Sequence, residues 1–191
     1  MSFNQGKVVD KFSIKGRDGE KIQVIFRYPK NSDSTVHLLD SVRRETMYVS
    51  RTRPENRESE AAWLKKRIKQ MEQGLVVLLF VEVEGKVVGN SEIRPLETDT
   101  SKHIADFGII LREKFTGIGI GTRLMRKVIE LAKKETGYKI IQSIYFSKNK
   151  RSAALHKKLG FKEFGRLPKG ILLKDGTYSD KVFVYKQIKK L

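Results

Sequence analysis

Three glycines at alternate positions, Gly117, Gly119 and Gly121, separate an almost wholly apolar stretch at 104–111 from a periodic run of Ile120, Leu124, Val128, Leu131 and Ala132. Glycine lets the backbone approach a ligand closely and adopt positive φ. The start of a helix offers N–H groups without intrahelical partners and a positive dipole end. A strand, such a loop and then a helix together make a cradle for an anion. A dinucleotide fingerprint requires glycines at its first, third and sixth positions, and the sixth position counted from Gly117 is Thr122. A phosphate-binding P-loop ends in Gly-Lys-Ser/Thr, whereas this segment reads Gly121-Thr122-Arg123. Neither nucleotide motif fits.

The elements that must position this loop follow from periodicity and turn residues. Residues 11–15 and 20–28 read as two strands around Gly16-Arg17-Asp18-Gly19. Asn31, Ser32 and Asp33 are cap candidates for a helix carrying Val36, Leu39 and Val42. Pro54-Glu55-Asn56 opens a second helix with the stripe Ala61, Leu64, Ile68 and Met71, stopped by Gly74. Strands at 75–84 and 86–94 hinge at Glu84-Gly85, and the apolar strand at 104–111 is expected near the middle of a sheet. The helix after the glycines runs from about Gly119 to Thr136, with Lys133 and Lys134 in the last turn, where cations suit the dipole. A strand at 139–147 follows, then a short helix from Asn149 to Gly160. Strands at 161–165, 171–173 and 181–188 lie around the turn Lys174-Asp175-Gly176. The pattern predicts a single α+β domain over 1–191, with a mostly antiparallel sheet and strand–helix–strand units in its second half.

Composition narrows the classes. A chain of 191 residues with 39% hydrophobic content can bury a substantial core, and 40 Lys+Arg against 22 Asp+Glu leave a net charge of +18. That excess attracts polyanions: an anionic cofactor, an acidic protein surface or nucleic acid. A thermophile-like charged surface gives the same composition. The chain lacks cysteine, which removes thiolate nucleophiles and most structural zinc sites, so no metal is expected. No apolar run is long enough for a membrane span and no secretory signal precedes the first strand, so the expected location is cytoplasmic.

The segment Leu111-Arg112-Glu113-Lys114-Phe115-Thr116-Gly117-Ile118-Gly119-Ile120-Gly121-Thr122-Arg123-Leu124 resembles the acetyl-CoA motif of the GNAT superfamily of N-acetyltransferases. Thr116 departs from the family's usual Gln or Arg, and Arg112 or Arg123 could compensate. A second stretch, Asn149-Lys150-Arg151-Ser152-Ala153-Ala154-Leu155-His156-Lys157-Lys158-Leu159-Gly160-Phe161, is similar to the family's later motif, with His156 where a tyrosine often stands. The resemblance spans roughly residues 22–188. It implies a three-layer fold with about four helices, in which the central sheet splays beside the cofactor. Residues 104–161 would be the acetyl-CoA-binding core and residues 1–20 an N-terminal hairpin extension. It further implies pantetheine contact at Ile109, Ile110 and Leu111. The remaining cofactor contacts would be Thr116, Gly117, Ile118, Gly119, Ile120, Gly121, Thr122 and Asn149.

Direct transfer from a thioester needs a neutral amine, an acid for the departing thiolate and donors for the carbonyl oxygen. Without cysteine no covalent acetyl-thiol intermediate can form, which favours a ternary complex. The resemblance places the acid at His156, with Tyr145 as the fallback, and the base at Glu92 or Asp106 on the strands flanking the cleft. Residues 165–181 resemble the branch of ribosomal-protein N-terminal and polyamine acetyltransferases. Net positive charge disfavours polyamines at long range, so a protein or peptide amine is the expected acceptor, with a small amine as the alternative. A nucleic-acid-binding or CoA-sensing module without turnover is the reading from another class, and a homodimer is left open.

Overall fold

The computed structural model describes residues 3–50, 56–96 and 98–191. Its strands are β1 (Val8–Lys15), β2 (Lys21–Arg27), β3 (Val77–Val83), β4 (Lys86–Pro95), β5 (Ile104–Leu111), β6 (Ile140–Phe146), β7 (Lys162–Leu172) and β8 (Tyr178–Gln187). Its helices are α1 (Val36–Glu45), α2 (Arg57–Glu72), α3 (Ile120–Glu135) and α4 (Lys150–Lys158). All eight strands join one sheet in the order β1-β2-β3-β4-β5-β6-β8-β7. Every neighbouring pair is antiparallel except β5–β6. The fold is therefore the expected α+β one, a mostly antiparallel mixed sheet with four α-helices among the described residues.

Strand β3 is apolar on both sides because both are covered. Leu78, Leu79, Phe80 and Val81 of β3 are fully buried, the signature of a strand between two helical layers. Alternation along a strand assigns the layers. Glu92 of β4 meets Arg67 of α2, whereas Ile109, which lies on the face of Ile93 and Phe107, approaches Gly121 of α3. His156 of α4 packs on Phe107. Thus α2 covers one face, and α3 with α4 the other. The α3 stripe is as expected, widened by Met125 and Ile129.

Some local expectations change. Asn31, Ser32 and Asp33 do not cap α1. Its N-cap is Thr35, whose N–H is held by the buried carboxylate of Glu60 from α2, while Asp33 pairs with Arg27 at 2.8 Å. Leu38 and Val42, four apart, are the apolar residues α1 buries, rather than Val36 and Leu39. Asn56 caps α2 by accepting from Ser59 N at 2.8 Å; Pro54 and Glu55 lie outside the described residues. The separate strands expected at 161–165 and 171–173 are one edge strand, β7, whose register shifts between Leu167 and Ile171. The interruption contains Pro168, which has no N–H to donate, and Lys169 at φ +53. An edge strand tolerates both.

Candidate active site

The parallel pair β5–β6 is joined only over a short stretch. Cα partners are Ile104 with Ile140, Ala105 with Ile141 and Asp106 with Gln142, and the pairing then stops although both strands continue. Ser143 Oγ lies 3.2 Å from the Phe107 carbonyl, so the backbone of Phe107 points toward β6. By strand alternation the backbone groups of Ile109 and Leu111 face the same widening gap. Arg112 N donates to the Val88 carbonyl at 3.0 Å, so by the same alternation the backbone groups of Ile110 face β4.

At the top of the gap lies the glycine loop. Gly117 (φ +78) and Gly119 (φ +99) occupy the left-handed region, are exposed, and lead into α3. Gly119 is the helix N-cap and no side chain caps α3. The N–H groups of its first turn thus remain available to an anion. The Ile120 side chain is buried, so only its backbone can contribute; Ile118 is half-buried against the core. A Cβ at Gly121 would meet Ile109 Cδ1 at 3.7 Å, which ties the loop to the open edge of β5. A positively polarised loop above a strand edge with open backbone groups fits a ligand carrying phosphates at one end and amides along its arm, as acetyl-CoA does. Asn149 caps α4, accepting from Ser152 N at 3.1 Å. Thr116 Oγ1 donates to the Glu113 carbonyl at 2.9 Å and accepts from Arg17 and Arg151.

The residues expected to move protons fall into different surroundings. His156 is 3% exposed. Its Nδ1 lies 2.8 Å from the Ser152 carbonyl, which can only accept, so Nδ1 carries the proton. Nε2 lies 3.1 Å from Ser143 Oγ. The ring is stacked on Tyr145 and met edge-on by Phe107 and Phe161. Burial pushes its pKa down, partly offset by the Ser152 carbonyl. His156, the expected acid, is thus an enclosed imidazole whose Nδ1 proton is held by the Ser152 carbonyl. The stacked Tyr145 instead lines an open groove of about 600 Å³ together with Tyr48, Ser147, Lys148, Lys150, Ala153 and Arg166. Burial, aided by the charge of Glu163, raises its hydroxyl pKa, so Tyr145 holds its proton at neutral pH.

Glu92 and Asp106 meet on the α2 face of the sheet through Arg94. Arg94 Nη1 donates to Glu92 at 2.6 Å, and Nη2 to Asp106. Arg67 Nε donates to the other Glu92 oxygen at 2.8 Å. Glu92 is therefore clamped by two guanidiniums. Asp106 has one, and burial raises its pKa against the pull of Arg94. Arg17, Tyr48, Ser143, Lys148 and Arg151 have no local signal in the sequence; each enters through contacts between distant segments.

Residues 23–162 match the family model of the acetyltransferase (GNAT) domain. L-amino acid N-acetyltransferase AaaT of Escherichia coli K12 is 29% identical over 102 residues, 53% of this chain and 62% of that protein. The chain thus spans less than two thirds of that relative. An L-methionine sulfoximine/L-methionine sulfone acetyltransferase of Pseudomonas aeruginosa is 28% identical over 126 residues, 64% of this chain and 69% of the relative. A Salmonella typhimurium structure described with its cofactor acetyl-CoA has the same fold, with a TM-score of 0.78 at 20% identity, over 88% of this chain and 95% of that one.

Proposed function

The chain belongs to the GNAT acetyltransferase family, and from that premise we propose that it transfers an acetyl group from acetyl-CoA to a primary amine that carries a carboxylate near it. The observation behind the cofactor half is the uncapped start of α3 standing over the gap between β5 and β6. Acetyl-CoA supplies the activated thioester. The protein orients it through the α3 N–H groups and the open backbone of Ile109 and Leu111, and Tyr145 Oη holds a proton at the groove. The two carboxylates expected to take the proton of the ammonium, Glu92 and Asp106, stand together on the α2 face of the sheet, where Arg94 and Arg67 hold Glu92 and Arg94 holds Asp106.

The acceptor half rests on the groove. Lys148, Lys150 and Arg166 line it beside Tyr48 and Tyr145. Arg166 is neutralised by Glu163 and Asp180, and Lys148 Nζ donates to the Thr177 hydroxyl within the field of Asp175, leaving Lys150 to carry the rim's positive charge. A positive rim favours an anionic neighbour of the amine. The curated relatives named for amino-acid substrates support a free α-amino acid, and the open groove also admits a peptide N-terminus with acidic residues. The test is kcat/KM for a panel of free amino acids, an acidic N-terminal peptide, a basic one and spermidine, each at two salt concentrations. Carboxylate-bearing amines should lead at low salt and lose their advantage as salt screens exposed charge beyond about 8–10 Å. Best use of spermidine at low salt would refute the acceptor assignment and leave the cofactor assignment intact.

A further inference from the structure

The glycine loop lacks one part that the family resemblance would place there, a long Gln or Arg side chain at position 116, where this chain has Thr116. The two arginines nearest in sequence do not take its place. Arg112 Nη2 donates to Glu45 at 2.7 Å, and Arg123 is paired with Asp10 at 2.7 Å and lies over the Phe12 ring at 3.9 Å. Two others arrive from distant segments. Arg17, in the turn between β1 and β2, donates through Nη2 to Thr116 Oγ1 at 2.9 Å, to the Thr116 carbonyl at 2.8 Å and to the Glu113 carbonyl at 3.1 Å. Arg151, in the first turn of α4, donates through Nη1 to Thr116 Oγ1 at 2.7 Å and through Nη2 to Glu113 Oε2 at 3.0 Å.

Their arrangement leaves the corner short of negative charge. Both guanidiniums share the single carboxylate of Glu113, and Arg17 reaches it only at 3.9 Å. A guanidinium carries five N–H donors in a planar fork. Arg17 spends Nη2 on the loop, while its Nε and Nη1 have no protein acceptor among the described residues; Arg151 likewise leaves Nε. Arg17 Nη2 lies 3.7 Å from where a Cβ on Gly117 would stand, so these donors border the glycine cradle. Both side chains are about half exposed, so a solvent-borne anion can reach them. Arg17 also lies outside the family-matched segment 23–162.

We propose that Arg17 and Arg151 bind a phosphate group of the cofactor, supplying in space the side chain that position 116 lacks, so that the β1–β2 hairpin is part of the cofactor site. This rests on the acetyl-CoA reading above. Planar guanidiniums suit phosphate because paired N–H donors match its oxygens. Two cofactor phosphates offer the same chemistry, the diphosphate bridge and the 3′-phosphate.

The test is calorimetric titration of the full chain and of Arg17→Gln, Arg151→Gln and the double variant with CoA, 3′-dephospho-CoA and pantetheine, with thermal melting of each unliganded protein alongside. Each single substitution should raise the Kd for CoA about tenfold, as loss of a charge-assisted hydrogen bond does. The Kd for pantetheine should be the same in all four proteins. Arg17→Lys should recover part of the loss, since it restores charge without the fork. A penalty that persists with 3′-dephospho-CoA assigns the pair to the diphosphate, and one that vanishes assigns it to the 3′-phosphate. Unchanged CoA affinity in a folded double variant would overturn the proposal. So would an equal loss for pantetheine, which would make the arginines props of the loop. A parent chain that binds none of the three ligands would overturn the acetyl-CoA reading as well.

Discussion

Replacing His156 by alanine separates a structural role from a chemical one. The native ring donates from Nδ1 to the Ser152 carbonyl and engages Ser143 through Nε2, and each such bond contributes about 1 kcal/mol net. It also fills the space between Phe107, Tyr145 and Phe161, and lost aromatic packing adds about 1 kcal/mol. The expected loss is about 3 kcal/mol, which for a chain of this size lowers the melting temperature by roughly 6–12 °C. Scanning calorimetry or denaturant titration reads it directly. The pH dependence carries a second signature. A buried histidine with a depressed pKa binds fewer protons folded than unfolded. Its contribution is complete above the unfolded value of about 6.5 and is lost as pH falls toward the lower folded value. The parent should therefore lose stability below about pH 6.5 more steeply than His156→Ala. Turnover in the folded variant should drop by no more than about tenfold, through a less firmly held Tyr145, whereas loss of a proton donor costs about 10²-fold or more. A variant as stable as the parent with kcat reduced a hundredfold would refute this reasoning and return the proton-donor role to His156.

Tyr145→Phe should lower kcat by about 10²-fold with little change in acetyl-CoA affinity, measured by thioester release where chemistry limits turnover; an unchanged rate would leave the proton to water. Gly119→Glu places a carboxylate at the α3 N-terminus on a residue at φ +99. It should abolish CoA binding in calorimetry and cost about 1–2 kcal/mol of stability from the left-handed backbone alone, and unchanged affinity in a folded variant would remove the cradle. Glu60→Ala takes away the buried acceptor of the Thr35 N–H and Ser34 hydroxyl at the start of α1. It should destabilise by about 1–3 kcal/mol in denaturant titration, and a neutral effect would contradict the capping role.

Local pattern was enough for much of this protein. The spacing of Leu124, Val128 and Ala132 requires an amphipathic helix, the apolar run at 104–111 places a strand near the middle of the sheet, and three alternate glycines between them require a close backbone approach. These signals lie within a few residues of each other, so no tertiary knowledge was needed to read them. The side chains around that loop are another matter. Whether His156 faces the groove or the core depends on how α4 rotates against Ser143 and Phe107, which periodicity over nine residues does not specify. Whether Glu92 and Asp106 stand free or clamped depends on Arg94 and on Arg67, a helix away. The N–H of Thr35 at the start of α1 is held from α2 rather than by a flanking side chain, because the fold brings the buried Glu60 carboxylate to it. The guanidiniums beside Thr116 sit 99 and 35 residues from it in the chain. Charge and hydrogen bonding act through space, so the partners of a site become visible only when the sheet has brought its distant strands and helices together.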